Sequence, residues 1–445
     1  MNVYNRLTLV FTFLLVIPAH YSQQKLTLDN VLTIALNRNT DVVKLTNTIR
    51  TYESGVKASY GTLLPTLDVS YSWNWQKVRD AGGKTQIDYF GNETILGASE
   101  TDTRNNSFKV GGSVTLFDGL ASFAGVRQSE NSLESAKLQL EKYKQDVCVL
   151  AATYFYTVIS TEKMMDINSE NIKYNKSLLD EVKERNRLGM VSVVDVYMQE
   201  AQVANADLLF IQSQAEYEKA KINLLNFLAL DVTAEYTYSA ESSYPIDSSI
   251  HHRDPSELYS EALSNRVDYK SVQLIVDNSY EQLSVARSGM YPSLSGSYSF
   301  GTSAVKVENL FTRKTYGVGL SLNIPVFSNW STENDIEAAL VAVDNSKEDY
   351  IALERQIKSE VKTGYTDLSA AKTSIDAARK SVMALEQNAR LQKERYQLGT
   401  VPLTEVLLSN RDFVQASQSL VSAELNYMIS YFTFLNYMGK LDIKT

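Results

Sequence analysis

The sequence predicts an α+β protein: its strands cross a membrane as parts of a barrel shared between copies, and long helices continue beneath that barrel. Three observations predict this. Four segments near strand length alternate apolar and polar residues, two helical segments are far longer than globular domains use, and the N-terminus resembles an export signal.

The N-terminal element comes first. Arg6 precedes the apolar run Leu7 to Ile17, which is too short to span a bilayer, and Ala19 and Ser22 bracket a cleavage zone. Residues 1–22 are therefore assigned to a signal peptide. No later stretch is long and apolar enough for a membrane helix, so any crossing has to use strands. The single cysteine, Cys148, excludes an internal disulfide, lies too far from the N-terminus to carry a lipid anchor, and suits a buried structural position. Apolar residues make up 44% of the chain and charged residues 21%, a balance that excludes a disordered chain. The net charge of -9 offers no basic footprint for nucleic acid.

Beyond the signal the chain divides into two copies of one unit: a helix, a strand, a loop, a strand, a very long helix, a tight turn and a returning helix. The first copy occupies 23–231 and the second 255–437, joined by a polar connector at 232–254 and followed by a short tail at 438–445. Leu64-Pro65 corresponds to Tyr291-Pro292, Leu188-Gly189 to Leu398-Gly399, and Phe117 to Phe327. The offsets place the additional residues of the first copy between its paired strands. That segment, 78–106, is rich in Gly, Asn, Asp and Thr and is expected to be an exposed loop.

The long helices show steps of three and four. Leu133, Ala136, Leu140, Tyr143, Val147, Leu150 and Tyr154 form one stripe, and Ile336, Leu340, Val343, Tyr350, Ile357, Val361 and Leu368 form its counterpart. The returning helices continue the pattern at Leu208, Ile211, Ala215, Ile222 and Leu225, and at Val414, Val421, Leu425, Met428, Phe432 and Leu435. Such stripes require partner helices. Gly364 leaves room for a bend or a close helix contact.

The strands carry the membrane prediction. Leu67, Val69, Tyr71, Trp73 and Trp75 oppose Asp68, Ser70, Ser72, Asn74 and Gln76, while Phe108, Val110, Val114 and Leu116 oppose Ser107, Lys109, Ser113 and Thr115. Leu294, Tyr298 and Phe300 oppose Ser293, Ser295, Ser297 and Ser299, and Tyr316, Val318, Leu320, Leu322 and Ile324 oppose Gly317, Gly319, Ser321 and Asn323. Lipid on one face and water on the other explains this period of two. Four strands cannot close a useful barrel, and an open edge in hydrocarbon leaves backbone groups unpaired, so several copies must share one barrel. Two, three or four copies satisfy this requirement.

Across nearly all of the chain after the signal, the sequence resembles the TolC-like outer-membrane efflux protein family. Lys25-Leu26-Thr27-Leu28 begins the series, followed by Leu64-Pro65 and Leu116-Phe117-Asp118-Gly119. The two turns complete it: Arg187-Leu188-Gly189 with Asp195-Val196, and Tyr396-Gln397-Leu398-Gly399-Thr400 with Glu405-Val406. The resemblance implies a homotrimer in the outer membrane, twelve strands in one barrel, and a long periplasmic α-helical barrel. It further implies a periplasmic adaptor (membrane fusion protein), an inner-membrane pump of RND, ABC or MFS type, and passive conduction by this subunit without a cofactor.

At the far end of the helices, Gly189 and Gly399 suit backbone reversals, and Asp195 and Glu405 lie in the first turns of returning helices, where a carboxylate is favourable. The resemblance assigns Asp195 and Glu405 to the periplasmic aperture and Tyr396 to holding its closed state. Val401 and Leu408 depart from the family pattern, standing where an arginine and a second aspartate can occur. The resemblance also makes Leu188, Gly189, Val191, Leu398, Gly399 and Val401 adaptor contacts; local helix contact is the alternative role for these residues.

Catalytic and metal readings fail on chemistry. His20 belongs to the signal, while His251 and His252 are adjacent in the connector without a second spaced ligand group. The serines of the strands form a wet face and have no histidine beside them in sequence. A coiled adhesin or structural fibre anchored by strands is the alternative architecture, though duplicated down-and-back helices favour tunnel walls.

Overall fold

A computed structural model describes residues 24–83, 85–95, 97–239 and 254–441; the signal segment with His20, and His251 and His252 of the connector, lie outside these residues. The first half runs β1 (Gln24–Leu26), α1 (Leu28–Arg38), α2 (Thr40–Gly61), β2 (Asp68–Asp80), β3 (Thr85–Ile87), β4 (Glu93–Ile95), β5 (Ser99–Phe117), α3 (Ala121–Arg187), α4 (Val193–Phe227) and β6 (Tyr236–Tyr238). The second runs α5 (Pro255–Asn265), α6 (Val267–Ser288), β7 (Ser293–Ala304), β8 (Lys314–Asn323), α7 (Ser331–Gln397) and α8 (Leu403–Tyr437). Corresponding helices have equal lengths, 11, 22, 67 and 35 residues in each half. At about 1.5 Å per residue, α3 and α7 are rods of roughly 100 Å.

The opening helix of each half is broken, where the sequence suggested one helix. Asn39 and Arg266 hold extended ψ values of 125° and 122°. The Asn39 side chain accepts from the N–H groups of Asp41 and Val42, capping α2. Arg266 is buried and satisfied by a bidentate contact to Asp268 (3.0 and 2.5 Å) and a second contact to Glu360, which ties the α5–α6 elbow to α7. Another element missed in the sequence is β6: it lies inside the polar connector and pairs in parallel with β1. The start of the expected tail is likewise part of the core, since Met438 and Leu441 are buried.

The main sheet has the order β2-β5-β7-β8, every pair antiparallel. Its register brings Val69, Val110, Phe300 and Tyr316 into one row, and the neighbouring row of Ser70, Lys109, Gly301 and Thr315 points the other way. One face is thus mainly apolar, with Asn106 and Thr302 set into it, and the other is rich in small hydroxyl and glycine residues, with Asp68, Asn74 and Lys109 among them. Most of the apolar face is uncovered, Val318 being 89% exposed and Leu320 73%, while Leu310 and Phe311 from the segment between β7 and β8 lie against Thr302 and Phe108. At the helix-proximal end, the exposed Tyr291, Phe327 and Trp330 form an aromatic fringe. The outer edges, β2 and β8, have no further strand beside them among the described residues. Part of the expected 78–106 loop is ladder instead, because β2 and β5 continue pairing to Asp80 and Ser99, with the β3–β4 hairpin beyond them.

Two helical hairpins, α3–α4 and α7–α8, extend from the sheet, with α6 lying between α3 and α7. Arg127 makes a bidentate pair with Glu281, and Ser135 and Ser279 bond Ser271 and Ser346 across these helices. Two clusters fill the middle of the molecule. Val147, Ala151, Phe155 and Val158 of α3 meet Val31, Ala35 and Leu224; Ile357, Val361 and Leu368 of α7 meet Leu258, Met428 and Phe434. Cys148 is buried, and its thiol is pushed up to about 11 by desolvation.

Most of the α4 stripe is left without a partner helix among the described residues. Leu225 is buried, but Leu208, Ile211, Ala215 and Ile222 face outward, Ile211 being 61% exposed; Ala206, Ala220 and Leu224 face α3 instead. Leu150 of α3 is also exposed.

Gly364 settles as a close contact. A Cβ there would stand 2.8 Å from Cδ2 of Tyr437 and 3.3 Å from Cδ2 of Phe434. Gly364→Ala is expected to destabilise the fold by about 1–3 kcal/mol through overpacking. An unchanged thermal midpoint would show that α8 yields freely at this contact.

Candidate functional site

The two hairpin turns lie at the end of the molecule farthest from the sheet, and they are built alike. In the first, Gly189 holds φ at 76°, its N–H reaches the Asn186 carbonyl (2.9 Å) and the Met190 N–H reaches Arg185 (2.9 Å). In the second, Gly399 holds φ at 74°, its N–H reaches Tyr396 (2.9 Å) and the Thr400 N–H reaches Arg395 (2.9 Å). This is the Schellman closure, which needs a left-handed residue and so selects glycine at each position. The turns thereby pair the carbonyls of Arg185 and Asn186 at the end of α3 and of Arg395 and Tyr396 at the end of α7.

Below them sits a small apolar cluster of Leu178, Val182, Tyr396, Leu403 and Val406, with Val191, Val196 and Val401 against it. The six expected turn contacts therefore divide. Leu188 and Leu398 are exposed, Leu398 to 78%, whereas Val191 and Val401 lean inward on the cluster. Gly189 and Gly399 have open space around the position of a Cβ, so their requirement is conformational.

The aperture candidates also differ from one another. Tyr396 is only 4% exposed, and its hydroxyl is buried without a hydrogen-bond partner. Burial pushes its phenol pKa up, opposed by Arg185 and reinforced by Asp195 and Glu181. Asp195 does not bond this hydroxyl. Its carboxylate accepts from the Ser192 N–H (3.1 Å) while Ser192 Oγ accepts from Val194, forming a capping box at the start of α4. Glu405, in the first turn of α8, is exposed and makes no ion pair among the described residues.

The connection between the two hairpins comes from a residue not singled out in the sequence. Arg185 donates to the carbonyls of Tyr396 (3.2 Å) and Gln397 (3.0 Å), pairs with Glu181 (3.2 Å), and lies 4.8 Å from the centre of the Tyr396 ring. One guanidinium thus holds the last turn of α7 against α3 by charge-assisted hydrogen bonds and a cation–π contact. Only the pair Arg185-Asn186 ahead of the turn hinted at it, and backbone carbonyls leave no mark in a sequence. Farther up the same seam, amide pairs continue the contact between α3 and α8: Asn171 with Asn410 (3.0 Å) and Asn168 with Gln418 (3.0 Å).

Comparison with known proteins gives the same architecture. The outer membrane efflux protein family model matches residues 31–230 and 258–440. The chain is 24% identical over 408 residues to the pyoverdine export outer membrane protein OpmQ of Pseudomonas aeruginosa, covering 89% of this chain and 82% of that protein. It is 20% identical over 323 residues to the outer membrane protein TolC of Escherichia coli K12, covering 67% of this chain and 62% of TolC, a little under two thirds of its length. The crystal structure of the Campylobacter jejuni CmeC outer membrane channel superposes with a TM-score of 0.78 at 16% identity, covering 94% of this chain and 87% of CmeC.

Arg185→Ala is expected to free the end of α7, so that amide hydrogen exchange at Leu398, Gly399 and Thr400 accelerates by about tenfold to a hundredfold. Unchanged exchange would remove Arg185 as the link. Tyr396→Phe, which deletes an unpartnered hydroxyl, is expected to leave that exchange and the thermal midpoint unchanged or slightly improved. A loss of about 2 kcal/mol or more would mean that the hydroxyl is bonded.

Proposed function

The chain belongs to the outer membrane efflux protein family, and on that premise we propose that it is the channel subunit of a tripartite efflux system, three copies forming one passive conduit. The observation that carries this reading is the uncovered apolar sheet with two open edges. In hydrocarbon, unpaired edge groups cost several kcal/mol each, and pairing β8 of one copy with β2 of the next removes that cost all round. Three copies would supply twelve strands, the number implied by the family resemblance.

The helices support the same assembly. The outward stripe of α4, Val194, Tyr197, Leu208, Ile211 and Ile222, is an apolar seam suited to a neighbouring copy. The hydroxyl- and glycine-rich sheet face would line the lumen with groups that interact weakly with passing solutes. Energy comes from outside: an inner-membrane pump of RND, ABC or MFS type, joined through a periplasmic adaptor, would load the conduit. Leu188 and Leu398 are the exposed apolar points of the turns and the first candidates for adaptor contact.

At the aperture, Glu405 is the carboxylate free to face permeating ions, because the carboxylate of Asp195 is committed to its own helix. Arg185 and Tyr396 would set the resting separation of the hairpins, in place of the arginine that this chain lacks at Val401.

Single-channel recording from the purified complex tests the reading, with native mass spectrometry giving its copy number. Ion conduction by a trimer is the expected result, and a non-conducting single copy would refute the conduit. Glu405→Gln is expected to lower cation preference roughly twofold or more. Asp195→Asn is expected to leave that preference unchanged and to cost about 1 kcal/mol of stability through loss of the cap. Equal effects of both variants on selectivity would overturn this division of roles.

A further inference from the structure

The alternation of the sheet does not stop where its apolar residues end. On the face that carries Val69, Tyr71, Trp73 and Trp75, strand β2 continues with Lys77 and Arg79; opposite them, β5 carries Arg104, Asp102 and Glu100. Lys314, which opens β8, lies on the same face through the row Tyr71, Phe108, Thr302 and Lys314. All six charges lie toward the sheet end remote from the helices. The opposite face of the same β2 and β5 segments presents Gln76, Val78, Asp80, Thr101 and Thr103, without a cation. Within these segments the cations are therefore sorted to one side, with Lys109, nearer the helices, as the cation of the other face, and the general polarity of an external loop does not explain this sorting.

Their arrangement is ordered. Glu100 bonds both Lys77 and Arg79, the latter through Nε (3.0 Å) and Nη2 (2.8 Å), and Arg104 lies 3.7 Å from Asp102. Asp102 also accepts from the Trp75 indole (2.7 Å), joining the charged cluster to the aromatic rim just below it. The pairs are solvent-exposed, with Arg79 at 76% and Arg104 at 62% in their side chains, so they leave donors free and contribute little stability themselves. Lys314 is exposed and makes no ion pair among the described residues. Each chain thus sets four cations against two carboxylates on this face.

We infer that Lys77, Arg79, Arg104 and Lys314 form an outward docking surface for the phosphate-bearing headgroups of the outer leaflet. The inference rests on the barrel reading above. The cluster continues the lipid-facing band on the same face, without an intervening turn, at the height where acyl chains give way to headgroups. Its excess of cations complements phosphate, and guanidinium forks bind phosphate oxygens in pairs. The two carboxylates offset part of that positive charge and compete with lipid phosphate for the same donors. Three copies would surround the barrel with twelve such cations and anchor its depth in the bilayer.

Native mass spectrometry of the purified full-length complex, titrated with lipid A, its dephosphorylated form and inorganic phosphate, tests the inference. Joint replacement K77Q/R79Q/R104Q/K314Q is expected to weaken lipid A retention by at least about tenfold. E100Q/D102Q is expected to strengthen it, and K109Q, on the other face, to leave it unchanged. The dephosphorylated lipid should bind the unaltered complex no better than the quadruple variant binds lipid A, and inorganic phosphate should not displace lipid A. Equal retention by the quadruple variant, equal binding of both lipids, or displacement by inorganic phosphate would each overturn the inference. So would a loss of retention in E100Q/D102Q. Conductance of each variant separates the two readings: a conducting trimer with any of these contrary results overturns the lipid surface alone, whereas a chain that neither assembles nor conducts overturns the conduit with it.

Discussion

Backbone hydrogen bonding at the two sheet edges is the constraint from which the rest of the architecture follows. A peptide group in hydrocarbon has no water to turn to, so the N–H and C=O groups of β2 and β8 must find partners in protein. Four antiparallel strands cannot curl far enough to find them in each other. The apolar face cannot be folded inward either, because the opposite face, rich in serine, threonine and glycine and carrying Asp68 and Lys109, would then meet the hydrocarbon. In the proposed conduit the strands therefore dictate association, and the helices below would have to accommodate whatever closure the strands adopt.

That dependence explains which features were legible in the sequence. The strands and the two turns were readable because their signals are local: alternation at Tyr316, Val318 and Leu320, and glycine at 189 and 399, where a left-handed φ is required. The α4 stripe was visible too, but the place of its partner was not. Leu208, Ile211 and Ile222 show that a helix face needs cover without showing whether the cover lies in the same chain. On α7, where the cover is internal, Val343, Ile357, Val361 and Leu368 lie inside as the periodicity predicts.

At the candidate aperture, legibility ended with residue type. Asp195 and Glu405 occupy corresponding positions in duplicated turns, but the Ser192 backbone N–H gives Asp195 a capping partner, while Pro402 at the same place has no backbone N–H to donate. One carboxylate is thus spent on its own helix and the other left free, a difference made by the residue three positions earlier. Arg185 was hidden for another reason, since its partners are carbonyl oxygens common to every residue. The break at Arg266, tied to Glu360, and the three-residue pairing of β1 with β6 depend on contacts between distant segments, which no window along the chain contains, whereas the break at Asn39 rests on a cap within three residues.

The equal lengths of the paired rods set a rule for how this molecule can vary. One residue inserted into α3 alone would turn everything beyond it by about 100° and advance its tip by about 1.5 Å, putting it out of step with α7 and misaligning every side chain in the seam between the hairpins. The 78–106 segment bears no such penalty, since a hairpin at its centre can grow without shifting either flank. Such a chain can acquire new surface above its strands while the lengths of its rods stay locked to each other.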